Sequence, residues 1–154
     1  MISRMRTLTT TLLAAAALLG PAAALADSTP TGSSAAHQFC TQQQTTLGTG
    51  FATAYKTFGK CVSSNTKNAL NAIDNASKAC AAQRTANPAA FTAKNAFGKC
   101  VSARVSQAAK NAASKAPSAL KQCKALRKSD PSGFATKYPG ADALGKCVAA
   151  TTKA

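Results

Sequence analysis

The chain has 154 residues and a formal charge of +15, with 19 lysines and arginines against 4 aspartates and no glutamate. One histidine, no tryptophan and so few carboxylates leave little from which to build an acid–base or nucleophilic catalytic set, so an enzyme is not expected. The charge favours attraction to polyanions instead.

The first residues carry Arg4 and Arg6, and an uncharged run from Leu8 to Leu19 follows before Gly20 and Pro21 interrupt it. A run of about a dozen apolar residues is too short to span a bilayer, and Ala24-Leu25-Ala26 supplies a small-x-small cleavage pattern. Residues 1–26 are therefore expected to be a signal peptide, with Asp27 as the mature N-terminus and secretion as the destination. Loss of the two arginines lowers the charge from +15 to +13. Residues 27–36 are polar and small and are expected to form a flexible tail, leaving only His37-Gln38-Phe39 to lead into Cys40 with an end that frays. Residues 37–154 are expected to form one helical domain, without a transmembrane segment.

Large apolar residues are few and alanine fills much of the rest, so the core buries little area per residue and covalent support is expected. Six cysteines in an exported chain can supply it, because oxidising compartments let disulfides persist. Their surroundings repeat. Cys40, Cys80 and Cys123 each lie eleven residues before a phenylalanine, at Phe51, Phe91 and Phe134. Each copy then reaches a second shared string, FGKCVS at 58–63, FGKCVS at 97–102 and LGKCVA at 144–149. The units are placed at about 40–79, 80–122 and 123–154.

Between units the pattern is helical. From Val62 an apolar stripe takes in Thr66, Ala69, Ile73, Ala76 and Cys80. From Val101 another takes in Val105, Ala108, Ala112, Ala119, Cys123 and Leu126, with Lys110, Lys121, Lys124 and Lys128 opposite. Pro117 is expected to kink or break this second helix. Within the units, Asn87-Pro88 and Asp130-Pro131 read as an N-cap followed by proline, each starting a short helix; Thr49-Gly50 is the weaker counterpart in the first copy. Gly59, Gly98 and Gly145 are expected to end those short helices as left-handed caps. The fold class is all-α: three disulfide-stapled helical repeats, each a long helix, a turn with a short helix, and a long helix, in a small bundle or short array.

Six cysteines allow fifteen pairings. If residues 61–80 are one helix, its ends lie about 28 Å apart, whereas a disulfide needs Cα atoms within about 7 Å, so Cys61 cannot reach Cys80. Cys100 cannot reach Cys123 unless Pro117 folds the segment back. The repeat then favours Cys40–Cys61, Cys80–Cys100 and Cys123–Cys147, each stabilising by about 3 kcal/mol.

The pattern of cysteine, six residues, Asp-Pro-x-x-Phe and then FGKCVS resembles a repeat of small exported actinobacterial proteins, over roughly residues 37–154. The first copy departs from it at LGTGF and the third at LGKCVA. The resemblance implies export and repetition, and carries no activity or ligand.

His37 stands three residues before Cys40, but two such groups without a further ligand make a poor metal site, and a bonded Cys40 offers no thiolate. No cofactor or metal is expected. The repeated phenylalanines read as core, and Lys60, Lys99 and Lys146 recur beside the second cysteine of each unit. The candidate anion-binding set is Lys110, Lys121, Lys124, Arg127 and Lys128, a stripe able to neutralise phosphates or uronates without reading sequence. The expected function is that of a secreted structural or interaction protein drawn to anionic polymers such as cell-wall polymer, acidic polysaccharide or nucleic acid. A membrane-active basic toxin or antimicrobial, and an inhibitor of a secreted enzyme presenting the loop from Lys137 to Gly145, are the alternatives.

Overall fold

The computed structural model describes residues 29–153; the expected signal peptide and the Asp27 terminus lie outside them. Six α-helices are present: α1 (Gly32–Leu47), α2 (Gly50–Tyr55), α3 (Phe58–Ala86), α4 (Ala96–Ser129), α5 (Pro131–Lys137) and α6 (Ala143–Thr151), with one 3-10 turn at Pro88–Phe91 and no strand among the described residues. The long helices α1, α3 and α4 pack against one another, and α3 and α4 form an antiparallel hairpin closed by the 3-10 turn. The short helices α2, α5 and α6 gather beside the N-terminal part of α3 and the C-terminal half of α4.

The disulfides are Cys40–Cys61, Cys80–Cys100 and Cys123–Cys147, with Cα separations of 5.8, 6.1 and 6.0 Å. Each joins one long helix to a later helix across an intervening short helix or 3-10 turn, so α1 is tied to α3, α3 to α4, and α4 to α6. Five of the six half-cystines are fully buried, and Cys100 alone is half-buried.

The core has two parts that differ in side-chain size. In one, Ala35, Ala36, Ala69, Ala72, Ala109 and Ala112 let the three long helices approach closely, around Phe39, Val101 and Val105. In the other, Phe51, Tyr55, Leu120, Phe134, Leu144 and Val148 fill the wider space among the short helices, beside two of the disulfides. Small side chains thus set the close helix contact, and aromatics occupy the end where the chain turns.

Several sequence expectations are corrected. The segment expected to be a flexible tail is helical from Gly32, its start capped by the Thr31 hydroxyl, which accepts from the Ser34 N–H at 3.2 Å. Ala35 and Ala36 are fully buried, so contact with the other long helices holds this turn where local composition alone would not. The first unit therefore has a full leading helix.

Pro117 does not divide α4, which runs unbroken through it for 34 residues. Its ring lies on the exposed side, while Ala112, Ala113, Ala116, Ala119 and Leu120 are buried on both sides of it. Tertiary packing outweighs the lost backbone hydrogen bond.

Gly59, Gly98 and Gly145 are not left-handed caps, since they lie in the first turns of α3, α4 and α6. The positive-φ positions are Gly48, Lys56, Asn95 and Gly140. Lys56 and Asn95 stand five residues before Cys61 and Cys100, so the chain reverses just ahead of the glycine strings.

The proline-led turns form as short helices. Asp130 caps α5 by accepting from the Gly133 N–H at 2.9 Å, whereas Asn87 and Thr49 make no side-chain cap bond.

Candidate anion-binding face

All five candidate residues lie on α4 and are exposed. Helical geometry brings four of them together. Lys110, Lys121, Lys124 and Lys128 fall within about 60° on the side of α4 away from its buried face. Arg127 is rotated about 120° from Lys121, towards the buried side, and stands apart from the row. Lys99 joins it: Lys99, Lys110 and Lys121 are eleven residues apart, an interval close to three helical turns. That interval was available in the sequence but is masked by the attachment of Lys99 to the repeated GKC string. The five aligned lysines extend on the order of 44 Å along the helix.

The acids do not answer this charge. Asp74 pairs with Lys78 at 2.7 Å and Asp142 with Lys146 at 3.2 Å, and these are the ion pairs among the described residues. Burial pushes the Asp142 carboxyl up, but hydrogen bonds from Lys146 and its own backbone N–H, with the charges of Lys146 and Lys60, hold it below the usual carboxylate range. Asp130 is occupied by its helix cap, accepting also from the Ser132 hydroxyl at 3.1 Å. Among the described residues the aligned lysines of α4 are consequently without acidic partners. Of the three GKC lysines, Lys146 is structural, donating also to the Pro139 carbonyl at 2.6 Å, while Lys60 and Lys99 face solvent.

A buried polar chain lies behind the first disulfide. The Tyr55 hydroxyl donates to Gln43 Oε1, Gln43 Nε2 donates to Asn65 Oδ1 at 3.4 Å, and Asn65 Nδ2 donates to the Cys61 carbonyl at 3.1 Å. The same Nδ2 lies 3.4 Å from Cys61 Sγ. All three side chains are fully buried, and burial raises the Tyr55 pKa from 10.0 to about 12. The expected stripe on α3 missed this arrangement. Asn65 and Asn68 face inward where Thr66 is exposed, because each asparagine finds an internal partner.

His37 is exposed, with its ring centroid 5.2 Å from that of Phe58. Among the described residues no group of three histidine, cysteine or acidic side chains converges on one point. Phe51 and Phe134 are core residues, while Phe91 and Phe97 are half-buried, Phe97 beneath the Arg84 guanidinium at 5.0 Å.

No helix among the described residues is long and apolar enough to cross a membrane. Comparison with protein-family models, curated proteins and solved structures finds no match to this chain.

Proposed function

We propose that this chain is a secreted, non-enzymatic interaction protein that holds anionic polymers at or outside the cell envelope through the exposed lysine row of α4. It belongs, on this reading, with the small exported actinobacterial proteins whose FGKCV repeat it resembles. The observation that carries the reading is the alignment of five lysines along one helix face while each described aspartate is engaged elsewhere. A row of this kind neutralises closely spaced negative charges and releases their counterions, giving affinity without sequence readout. The row is carried on one continuous helix, so a polymer need not order the backbone beneath it on binding.

The membrane-active alternative has less support, because the apolar faces of the long helices are turned inward. Among the described residues Leu70 and Leu126 are the large apolar residues left exposed, and they lie on different helices.

The test is retention on a dextran sulfate matrix. The wild-type chain is expected to elute only at raised salt. A variant carrying Lys110→Gln, Lys121→Gln, Lys124→Gln and Lys128→Gln, with unchanged circular dichroism, is expected to elute much earlier. Equal retention of the two at every salt concentration contradicts the assignment.

A further inference from the structure

A second cationic line runs along α4 on a different face. Arg104, Asn111 and Lys115 fall within about 40° of one another and about 120° away from the lysine row. They border a groove of about 460 Å³ between α3 and α4, on the side of the hairpin that α1 leaves uncovered. Alanines, among them Ala76 and Ala108, form its floor. Asn75 faces this line from α3, and Gln107 completes the wall on α4. Gln107 Nε2 donates to Asn111 Oδ1 at 2.9 Å, which leaves the Asn111 amide N–H groups and the Gln107 carbonyl oxygen turned to other partners.

Lys115 Nζ donates to the Lys153 carbonyl at 3.4 Å, so the segment after α6 lies beside this cation. Among the described residues no carboxylate lines the groove. Its walls combine two cations with three amides over a narrow apolar floor, a volume in the range that holds a small ligand.

We propose that the α3/α4 groove binds a short stretch of acidic polysaccharide, with Arg104 and Lys115 holding uronate carboxylates and Asn75, Gln107 and Asn111 bonding the sugar hydroxyls. This rests on the reading that the chain binds anionic polymers, and gives that reading a chemical class. Arg104 offers a planar fork matched to a carboxylate. The amides both donate and accept, which suits hydroxyl groups and has no counterpart in the phosphate chain of a polyphosphate. No aromatic side chain lines the groove, so nucleobases have nothing there on which to stack. The lysine row then attracts the polymer at long range, and the groove grips a segment of it.

The experiment titrates the disulfide-intact chain with short oligogalacturonates, their methyl esters, polyphosphate and single-stranded oligonucleotide, following side-chain amide resonances and affinity. Oligogalacturonate is expected to shift the Asn75, Gln107 and Asn111 amides. Arg104→Gln is expected to weaken it about tenfold. Methyl esterification should weaken it as strongly, while Lys94→Gln, in the exposed turn before α4, should leave the affinity for short oligomers nearly unchanged. Lys115→Gln supplies a second variant should Arg104→Gln unfold the chain. If oligogalacturonate shifts only resonances of the lysine row and neither groove variant matters, the groove assignment falls while the polymer-binding reading stands. Tighter groove binding of polyphosphate or oligonucleotide overturns the saccharide class. Failure of every anion to bind overturns both.

Discussion

The side-chain amide of Asn68 on α3 donates to the Ala149 carbonyl on α6 at 2.7 Å, joining residues 81 apart in the sequence. The Ala149 carbonyl belongs to the last turn of α6, where backbone acceptors lack helical partners, and the Thr152 hydroxyl reaches it only at 3.4 Å. Asn68 thus caps the final helix from the first long connector. Asn68→Ala is expected to destabilise the chain by about 1–3 kcal/mol, read as a lower urea midpoint with an unchanged slope. An unchanged midpoint would show that water replaces the bond.

The glycines of the repeated GKC strings separate by context. A Cβ at Gly145 would stand 2.6 Å from Tyr55 Cδ1 and 3.2 Å from the Ala54 carbonyl oxygen, whereas a Cβ at Gly59 meets nothing within 4 Å. Gly145→Ala is therefore expected to cost about 1–3 kcal/mol by forcing α6 away from Tyr55. Gly59→Ala is expected to leave stability unchanged or raise it by up to about 1 kcal/mol, as glycine in a helix is the less favourable residue. Thermal unfolding of the two variants side by side checks both.

Tyr55 carries a pH dependence whose sign follows from its burial. Its folded pKa is about 12 against 10.0 when exposed, so the folded state holds the phenolic proton more tightly. Its contribution is fully present below pH 10 and is lost as pH rises towards 12. In a Tyr138→Phe background Tyr55 is the single tyrosine, and tyrosinate absorbance should appear only together with loss of near-ultraviolet dichroism. Ionisation near pH 10 with the fold intact would place the ring in contact with water.

These residues show where the sequence was legible and where it was not. The offset of eleven residues from cysteine to phenylalanine and the length of the intervening helix point to the disulfide partners, because both depend on local geometry. The outward position of Lys110, Lys121, Lys124 and Lys128 follows from helical period in the same way. No local pattern marks Gln43, Asn65 and Asn68 as buried, because the Gln43–Asn65 and Asn68–Ala149 bonds join residues 22 and 81 apart. The helix at Gly32 and the continuity at Pro117 escaped for a related reason: each is held by packing against other helices, against local preference. Gly145 reads as a turn residue, yet it is the close approach of Tyr55 that requires a residue without a side chain there.

Cys100 is half-buried while the other half-cystines are fully buried, so the bridges should differ in access to thiol reagents. Under mild reduction followed by alkylation, Cys80 and Cys100 are expected to be labelled first, with Cys40–Cys61 and Cys123–Cys147 persisting until the chain unfolds. Mass spectrometry of timed samples reads the order. Simultaneous labelling of all six would mean that global opening precedes any reduction.

The lysine row is tested most directly by measuring affinity for dextran sulfate as a function of salt, for the wild-type chain and for the fourfold variant at Lys110, Lys121, Lys124 and Lys128. Each cation engaged on a polyanion adds roughly one to the slope of log affinity against log salt. The wild-type chain should show a steep negative slope, and the fourfold variant one shallower by about three to four. Identical slopes for the two folded proteins would contradict the assignment of anion binding to this face of α4.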